Sequence, residues 1–162
     1  GSIIYKEAVL PLLVSDSEII LTGPSGTRNI SLNKVFDKKL LLKDGEMLVK
    51  VNIDKRYLNL PYSHVKRTKN EKIDYPLITM VAIKDDNRLK IAFSGLCDYP
   101  FRSQNMEDVL NNPDITSEER IAKAIEKVPG NILNNISGST EYRKFVLGLM
   151  LEEVFERLEV VQ

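Results

Sequence analysis

The stretch I-T-M-V-A-I-K-D-D-N-R-L-K-I-A-F-S-G, residues 78–95, decides the fold of this chain. Its first part, Ile78 to Lys84, is rich in the β-branched and apolar side chains that favour strands. The following Asp85-Asp86-Asn87 is typical of a tight turn. Beyond the turn, apolar side chains occupy alternate positions of a second strand, at Leu89, Ile91 and Phe93. The pattern therefore predicts an antiparallel hairpin with one buried face.

Three helices are predicted downstream of this hairpin. Asn105 is a candidate N-cap for the first helix, because acidic residues follow it in the opening turn. Thr116 and Glu119 have the spacing of a capping box, which indicates the start of the second helix. The third begins near Ser139 and continues to about Leu158, with an apolar stripe that predicts a core-facing side. The stripe consists of Leu147, Leu151, Val154, Phe155 and Leu158.

Upstream of the hairpin, the pattern predicts a smaller set of strands. A short helix is expected over Lys6–Val14, and Ser17–Thr22 and Arg28–Leu32 predict two strands joined by the turn at residues 23–26. Glu46–Ile53 predicts a further strand. Strands followed by a run of helices predict the α+β class. In the second half we expect a three-stranded antiparallel sheet packed by three helices.

A long polar connection is predicted between Asp54 and Asp74. Basic and acidic residues are mixed there, and Pro61 interrupts the periodicity. Long connections in compact domains tend to be functional or mobile. We place the boundary between two lobes in this stretch.

The composition argues against several classes of protein. Lys and Arg together number 23, as do Asp and Glu, so the formal net charge is +0 and the isoelectric point is about 6.8. A neutral chain has no overall field that attracts nucleic acid or an anionic membrane, and copies of it associate readily near the isoelectric point. The apolar runs are too short to span a membrane, and no secretory segment opens the chain. We expect a cytoplasmic protein, and the composition leaves a homo-oligomer open as its assembly state.

The chain has one cysteine, Cys97, and one histidine, His64. These two residues cannot form an internal disulfide, an iron–sulfur cluster or a structural zinc site by themselves. Neither has a sequence neighbour that would make it a catalytic group. We expect a solvated loop histidine and a buried, unreactive thiol.

Two segments could bind anions on composition alone. Gly23-Pro24-Ser25-Gly26 is superficially like a phosphate loop, but Pro24 lacks an N–H and a strand follows, so a turn is the better interpretation. The polar connection has basic residues, with Tyr57 and Tyr62 available for stacking on bases. Nucleic-acid binding is the weakest alternative, because the connection also carries acids and the chain is neutral.

Three stretches, in order, resemble the FAD-binding subunit of molybdenum hydroxylases, the family of xanthine dehydrogenase and carbon monoxide dehydrogenase. Leu12–Glu46 resembles the end of the FAD-binding domain. Gly95–Arg102, G-L-C-D-Y-P-F-R, matches a G-x-x-x-x-P-x-R segment of the family's carboxy-terminal domain. Ser137–Arg143 contains the family's S-x-x-Y-R sequence, which opens the last long helix. The resemblance implies an incomplete second FAD-binding subdomain over residues 3–60 and the carboxy-terminal domain over residues 61–162.

The resemblance also implies three contacts to the flavin. Lys66 matches a lysine beside the isoalloxazine, where a cation would stabilise the anionic reduced form. Leu42 lies just before the D-G-E turn, where the family has an apolar residue facing the flavin. Glu7 stands where the family generally has an Asp before a helix, and it departs from the family by its residue type and by lacking a preceding Ser-Pro. No catalytic residue and no metal ligand is implied.

The function that this resemblance implies is electron transfer. In the family, an iron–sulfur small subunit passes electrons from a molybdopterin large subunit to FAD, and then to NAD or another acceptor. We expect the chain to be inactive alone and to hold no tightly bound FAD, because the family's glycine-rich FAD motifs would lie upstream. The alternative is a non-enzymatic interaction domain that kept the fold and lost FAD binding. Arg102, Tyr142 and Arg143 are expected to fix the packing of hairpin and helices rather than to catalyse.

Overall fold

A computed structural model describes residues 6–68 and 76–159 of the chain. The first half contains α1 (Val9–Val14), β1 (Glu18–Gly23), β2 (Gly26–Ser31), α2 (Leu32–Val35), β3 (Phe36–Asp37), β4 (Lys39–Leu40), β5 (Met47–Asn52) and a 3-10 helix (Lys55–Asn59). The second half contains β6 (Tyr62–Thr68), β7 (Pro76–Asp85), β8 (Arg88–Ser94), β9 (Phe101–Arg102), α3 (Gln104–Leu110), α4 (Ser117–Glu126) and α5 (Thr140–Arg157). The predicted α+β class is confirmed.

The predicted hairpin forms the centre of a four-stranded antiparallel sheet of order β6-β7-β8-β9. Its turn is shorter than expected, because Asp85 pairs with Arg88 and belongs to the strand. Asp86 and Asn87 both have positive φ, at 48° and 62°. Two consecutive left-handed residues match the twist of a two-residue hairpin, and Asp and Asn tolerate that conformation well.

The prediction of a polar connection was wrong over Tyr62–Thr68, which is the edge strand β6. Of its seven side chains, only Ser63 and Val65 are buried. The apolar alternation is therefore nearly invisible in the sequence. Pairing with β7 fixes this strand, and its charged outer residues protect an edge from further pairing. With β6 and the short β9, the sheet has four strands instead of the predicted three.

The three predicted helices are present, with one correction at a cap. The capping box of Thr116 and Glu119 forms at the start of α4, with both hydrogen bonds in place. The first of the three, α3, begins earlier than predicted: Ser103, not Asn105, accepts the hydrogen bond from the Met106 N–H. Serine is as good a cap as asparagine, so the sequence alone does not decide between them.

The long helix α5 covers one face of the sheet. The whole predicted stripe from Leu147 to Leu158 is buried. It packs in a core with β7, β8 and the helices α3 and α4. Gly95, which follows β8, has φ of +78°, and a Cβ there would stand 2.8 Å from the Leu77 carbonyl oxygen. Only glycine fits this close approach, which explains the first position of the G-x-x-x-x-P-x-R segment.

The first half packs on the opposite face of the same sheet. β1 lies between β2 and β5 in a three-stranded antiparallel sheet, and β3 and β4 form a separate short ribbon. The helix α1 joins this half to the four-stranded sheet, because its buried side chains share a core with Ile83 and Ala92. The sheet is thus enclosed between α1 on one side and the carboxy-terminal helices on the other. No helix in the described ranges has the length and apolar character that a membrane span requires.

Candidate functional site

Two of the three predicted flavin contacts meet at the junction of the two halves. Glu7 lies just before α1 and reaches the four-stranded sheet, where its carboxylate accepts a hydrogen bond of 2.5 Å from the Thr79 hydroxyl. Lys66 lies opposite Thr79 in the β6–β7 pairing, and its Nζ is 3.5 Å from the same carboxylate oxygen of Glu7. We call Glu7, Lys66 and Thr79 the junction cluster.

Two residues of the junction cluster remain accessible to solvent, while Thr79 is fully buried. The side chains of Lys66 and Glu7 are 40% and 34% exposed. An ion pair at this exposure contributes little to stability, so the lysine is not tied down by a strong internal interaction. The arrangement holds a cation over the edge of the sheet, with a carboxylate and a hydroxyl behind it.

Leu42, the third predicted contact, lies on a different segment. It belongs to the connection between β4 and β5, and its side chain is exposed. The turn after it places Gly45 at a φ of +74°, and the Glu46 N–H donates to the Lys43 carbonyl at 3.0 Å. The structure therefore brings Glu7 and Lys66 together and leaves Leu42 on the separate segment between β4 and β5.

A charged network at the junction was not foreseen from the sequence. Arg102 donates to Glu107, to the Leu13 carbonyl at the end of α1 and to Asp16. Lys90 donates to Asp16 at 2.6 Å and to Asp85 at 2.7 Å. Arg56 and Tyr57, from the 3-10 helix, complete the network through Asp85 and Asp16. Asp16 follows α1 and is far in sequence from Lys90 and Arg102, so the packing of α1 on the sheet completes the network. The network includes Asp16, Arg56, Tyr57, Asp85, Lys90, Arg102 and Glu107.

The network keeps Asp16 and Asp85 ionised. Burial tends to raise the pKa of Asp16, but hydrogen bonds from Lys90 and Arg102 outweigh burial and leave the pKa below its usual value. The hydrogen bond from Lys90 likewise lowers the pKa of Asp85 against the effect of burial. Around Lys90, hydrogen bonds to Asp16 and Asp85 overcome burial and raise the pKa of the ammonium group. The network therefore connects the two halves through charged groups that hold each other in the ionised state.

Acid is expected to destabilise the chain partly through this network. An aspartate in the unfolded chain has a pKa of about 3.9, and the pKa values of Asp16 and Asp85 in the folded chain lie lower. Their stabilising contribution is complete above the unfolded pKa and is lost as the pH falls through the folded values. We expect Asp85→Asn to lower the free energy of unfolding by about 1–3 kcal/mol at neutral pH. We also expect the free energy of unfolding of this variant to fall less steeply as the pH decreases.

Urea unfolding at a series of pH values from about 7 down to about 3 measures this effect, a window that includes the unfolded aspartate pKa. Asp114→Asn is the control, because Asp114 is an exposed carboxylate in the connection between α3 and α4. If the free energy of unfolding falls equally with pH in wild type and Asp85→Asn, Asp85 does not contribute to the acid sensitivity of the fold.

Cys97 and His64 are both outside any reactive arrangement. Cys97 is fully buried, as predicted. Its burial, and to a smaller extent the negative charge of Asp98, raise the pKa of its thiol to about 11. The thiol is therefore protonated at neutral pH and is a poor nucleophile. His64 lies on β6 rather than in a loop, and its side chain is exposed, as expected. Among the described residues, no group of His, Cys, Asp or Glu side chains could hold a metal ion.

The described residues fit the ring of a flavin better than its phosphates. Dinucleotide phosphates need several converging N–H donors, from glycine-rich turns or free helix N-termini. Side chains cap α3, α4 and α5, and each of these helices has a glutamate in its first turn. Gly23 and Gly26 pair with each other at the ends of a hairpin turn. What the described residues offer a flavin is the cation of Lys66, with Glu7 and Thr79 behind it.

A groove of about 700 Å³ lies away from the junction cluster. It runs between α2 and the segment that leads into β9. The Lys38 ammonium group stands 4.9 Å from the centre of the Tyr99 ring on its wall. None of the three predicted flavin contacts lines this groove, so the groove does not support the predicted flavin site.

The fold is that of molybdenum hydroxylase structures. Of these, the chain is similar to the cyanide-inactivated Cu,Mo-CO dehydrogenase, with a TM-score of 0.70 and 18% identity over 94% of this chain and 56% of the other. Carbon monoxide dehydrogenase from Hydrogenophaga pseudoflava, in a form lacking the Mo-pyranopterin moiety, matches with a TM-score of 0.72 and 16% identity over 92% of this chain and 55% of the other. Quinoline 2-oxidoreductase from Pseudomonas putida 86 matches with a TM-score of 0.70 and 20% identity over 98% of this chain and 59% of the other.

These matches confirm the resemblance at the level of the fold. No family model matches the chain, and no curated protein matches it. The chain spans 56%, 55% and 59% of the three solved chains named above. The likeness is therefore one of architecture over nearly the whole of this chain and over little more than half of each of those structures.

Proposed function

We propose that this chain is part of the flavin subunit of a molybdenum-dependent hydroxylase or dehydrogenase. The observation that carries the proposal is the fold match, which extends over 94% of the chain to a Cu,Mo-CO dehydrogenase. The order of the three sequence stretches supports it independently. In such a subunit, electrons pass from iron–sulfur clusters through FAD to NAD or another acceptor. Residues 3–60 would end the FAD-binding domain, and residues 61–162 would form the carboxy-terminal domain.

The proposed partners are an iron–sulfur small subunit and a molybdopterin large subunit, which would carry those cofactors and set the substrate. FAD would supply the chemistry that accepts two electrons and releases them to the final acceptor. This chain would supply the junction cluster beside the ring and Leu42 as an apolar contact. Lys66 would place its positive charge near the flavin, and Glu7, which accepts a hydrogen bond from Thr79, would lie beside it. The chain alone would have no enzymatic activity.

Lys66→Ala tests this role in a flavin subunit that contains the chain. A point charge near the ring favours the anionic reduced flavin, whereas retention of the dinucleotide depends mainly on phosphate contacts elsewhere. We expect slower flavin reduction, by about tenfold, or a lower flavin potential, with FAD content unchanged; tenfold corresponds to about 1.4 kcal/mol. Stopped-flow reduction and a redox titration of the reconstituted complex measure both quantities.

Lys50→Ala is the matched control, because Lys50 is an exposed lysine on β5, outside the junction cluster. Its rate and potential are expected to equal those of the wild type. Normal kinetics and potential in Lys66→Ala, with FAD still bound, would remove Lys66 from the flavin site.

The second candidate function is an interaction domain that kept this fold and no longer binds FAD. The capped and acidic N-termini of α3, α4 and α5 favour it, because these helix ends are not free to bind a phosphate. The two candidates differ in one measurement. A purified complex that contains this chain holds one FAD per flavin subunit in the first case and none in the second.

A further inference from the structure

The long helix α5 carries a second apolar stripe on its outer face. Tyr142, Phe145 and Leu149 are 48%, 63% and 46% exposed. Their spacing of three and four residues places them in one row along the helix. The opposite side of α5 is buried against the sheet and α4. A helix that is apolar on both sides normally has both sides covered, so the outer row has the composition of an interface.

The same row changes character along the helix. Glu152 and Glu156 follow Leu149 at steps of three and four residues, and both are exposed. The row therefore runs from apolar at the amino-terminal end of α5 to acidic at its carboxy-terminal end. We call these five residues, Tyr142, Phe145, Leu149, Glu152 and Glu156, the outer row.

The outer row is complementary to itself when two copies are antiparallel. With a two-fold axis near the level of Leu147, Phe145 of one copy lies opposite Leu149 of the other. Tyr142 then lies opposite Glu152, so that a phenol hydroxyl can donate to a carboxylate. A parallel pairing would instead place acidic residues opposite each other.

We propose that the outer row of α5 is a docking surface for a second copy of this chain, in a two-fold symmetric antiparallel pair. Rows of residues spaced by three and four interdigitate at a small crossing angle, which suits a helix of 18 residues. A two-fold interface uses the same patch on both copies, as this row requires. The neutral net charge of the chain does not oppose the contact. The proposal does not depend on the proposed function.

Sedimentation velocity of the chain at a series of concentrations tests the pairing. One helix face gives an interface at the small end of the specific range, so we expect a reversible dimer with a dissociation constant on the order of 10 µM. Phe145→Glu puts a charge at the centre of the contact and should raise the dissociation constant by at least about 30-fold. Circular dichroism checks that this exposed substitution leaves the fold intact.

Val49→Glu is the matched control. Val49 lies on the edge strand β5 and is 60% exposed, close to the 63% of Phe145. We expect it to change the dissociation constant by less than about threefold, as for a residue outside the interface. A wild-type chain that is monomeric at every concentration would overturn the proposal and leave the outer row to a different protein. Loss of the dimer in Val49→Glu, with the dimer intact in Phe145→Glu, would place the contact on β5 and overturn it as well.

Discussion

Arg143→Met is expected to lower the free energy of unfolding by about 3–5 kcal/mol, the largest effect of any single change considered for this chain. Arg143 is fully buried in the first turn of α5. Its guanidinium donates to the carbonyl oxygens of Leu77 and Gly95, the latter at 2.7 Å, and to the Asn135 side chain at 2.9 Å. It thereby joins the long helix to the start of β7 and to the loop after β8.

Methionine fills a similar volume but cannot donate a hydrogen bond. Buried carbonyl oxygens would lose charge-assisted donors, and each unsatisfied group costs about 1–3 kcal/mol. The melting temperature should fall by about 10 °C or more for a chain of this size. Thermal and urea unfolding followed by circular dichroism measure the change.

Lys144→Met is the control for this prediction. Lys144 is the next residue of α5, it is basic like Arg143, and it pairs with the exposed Glu141 at 2.9 Å. Surface pairs of this kind contribute at most about 0.5 kcal/mol, so the variant should unfold almost as the wild type does. Arg143→Met within about 1 kcal/mol of wild type would show that the buried contacts are not needed for stability.

The chain by itself is expected to hold no tightly bound FAD. The sequence has 8 glycines, and none forms a G-x-G cluster after a strand. Gly95 serves the close approach to Leu77, and a Cβ at Gly138 would stand 2.7 Å from the Leu77 side chain. A contact of Lys66 with the ring leaves the phosphates without donors. Losing several charge-assisted hydrogen bonds, at about 1.5–3 kcal/mol each, weakens binding by many orders of magnitude.

An absorbance spectrum of the purified chain tests this expectation after incubation with FAD and gel filtration. The protein peak should be colourless, and the FAD should elute at the position of free FAD in a control run without protein. A yellow protein peak with stoichiometric FAD would contradict the prediction. It would also show that this part of the subunit contains a phosphate site of its own.

Sequence reasoning succeeded where local chemistry decides the structure. The hairpin around Asp86-Asn87 follows from alternation and from residues that tolerate positive φ. The capping box at Thr116 and the stripe on α5 follow from spacing alone. The structure gives both ends of the S-x-x-Y-R sequence a role. Its serine, Ser139, caps α5, and its arginine, Arg143, is buried in the first turn of the helix.

The expected packing roles of three residues had different outcomes. Arg143 fixes the helix to the hairpin, and Arg102 joins α3 to the end of α1 through Glu107 and the Leu13 carbonyl. Both are confirmed as packing residues. Tyr142 is half-exposed on the outer side of α5. The reason is geometric: Tyr142 lies in the outward row with Phe145 and Leu149, whereas Arg143 lies at helical spacing from the buried Leu147 and Met150.

By itself, the sequence determined the class of the fold, the central hairpin, the three helices and the resemblance that points to a flavin subunit. These depend on local propensity and periodicity, which the chain carries in every short segment. Only the tertiary structure decided that Tyr62–Thr68 is a strand, because a half-exposed edge strand is fixed by its pairing partner. Only the tertiary structure brought Glu7 to Lys66 and assembled the network around Lys90, since α1 must first pack on the sheet. Contacts between residues far apart in the chain leave no periodic signal in it.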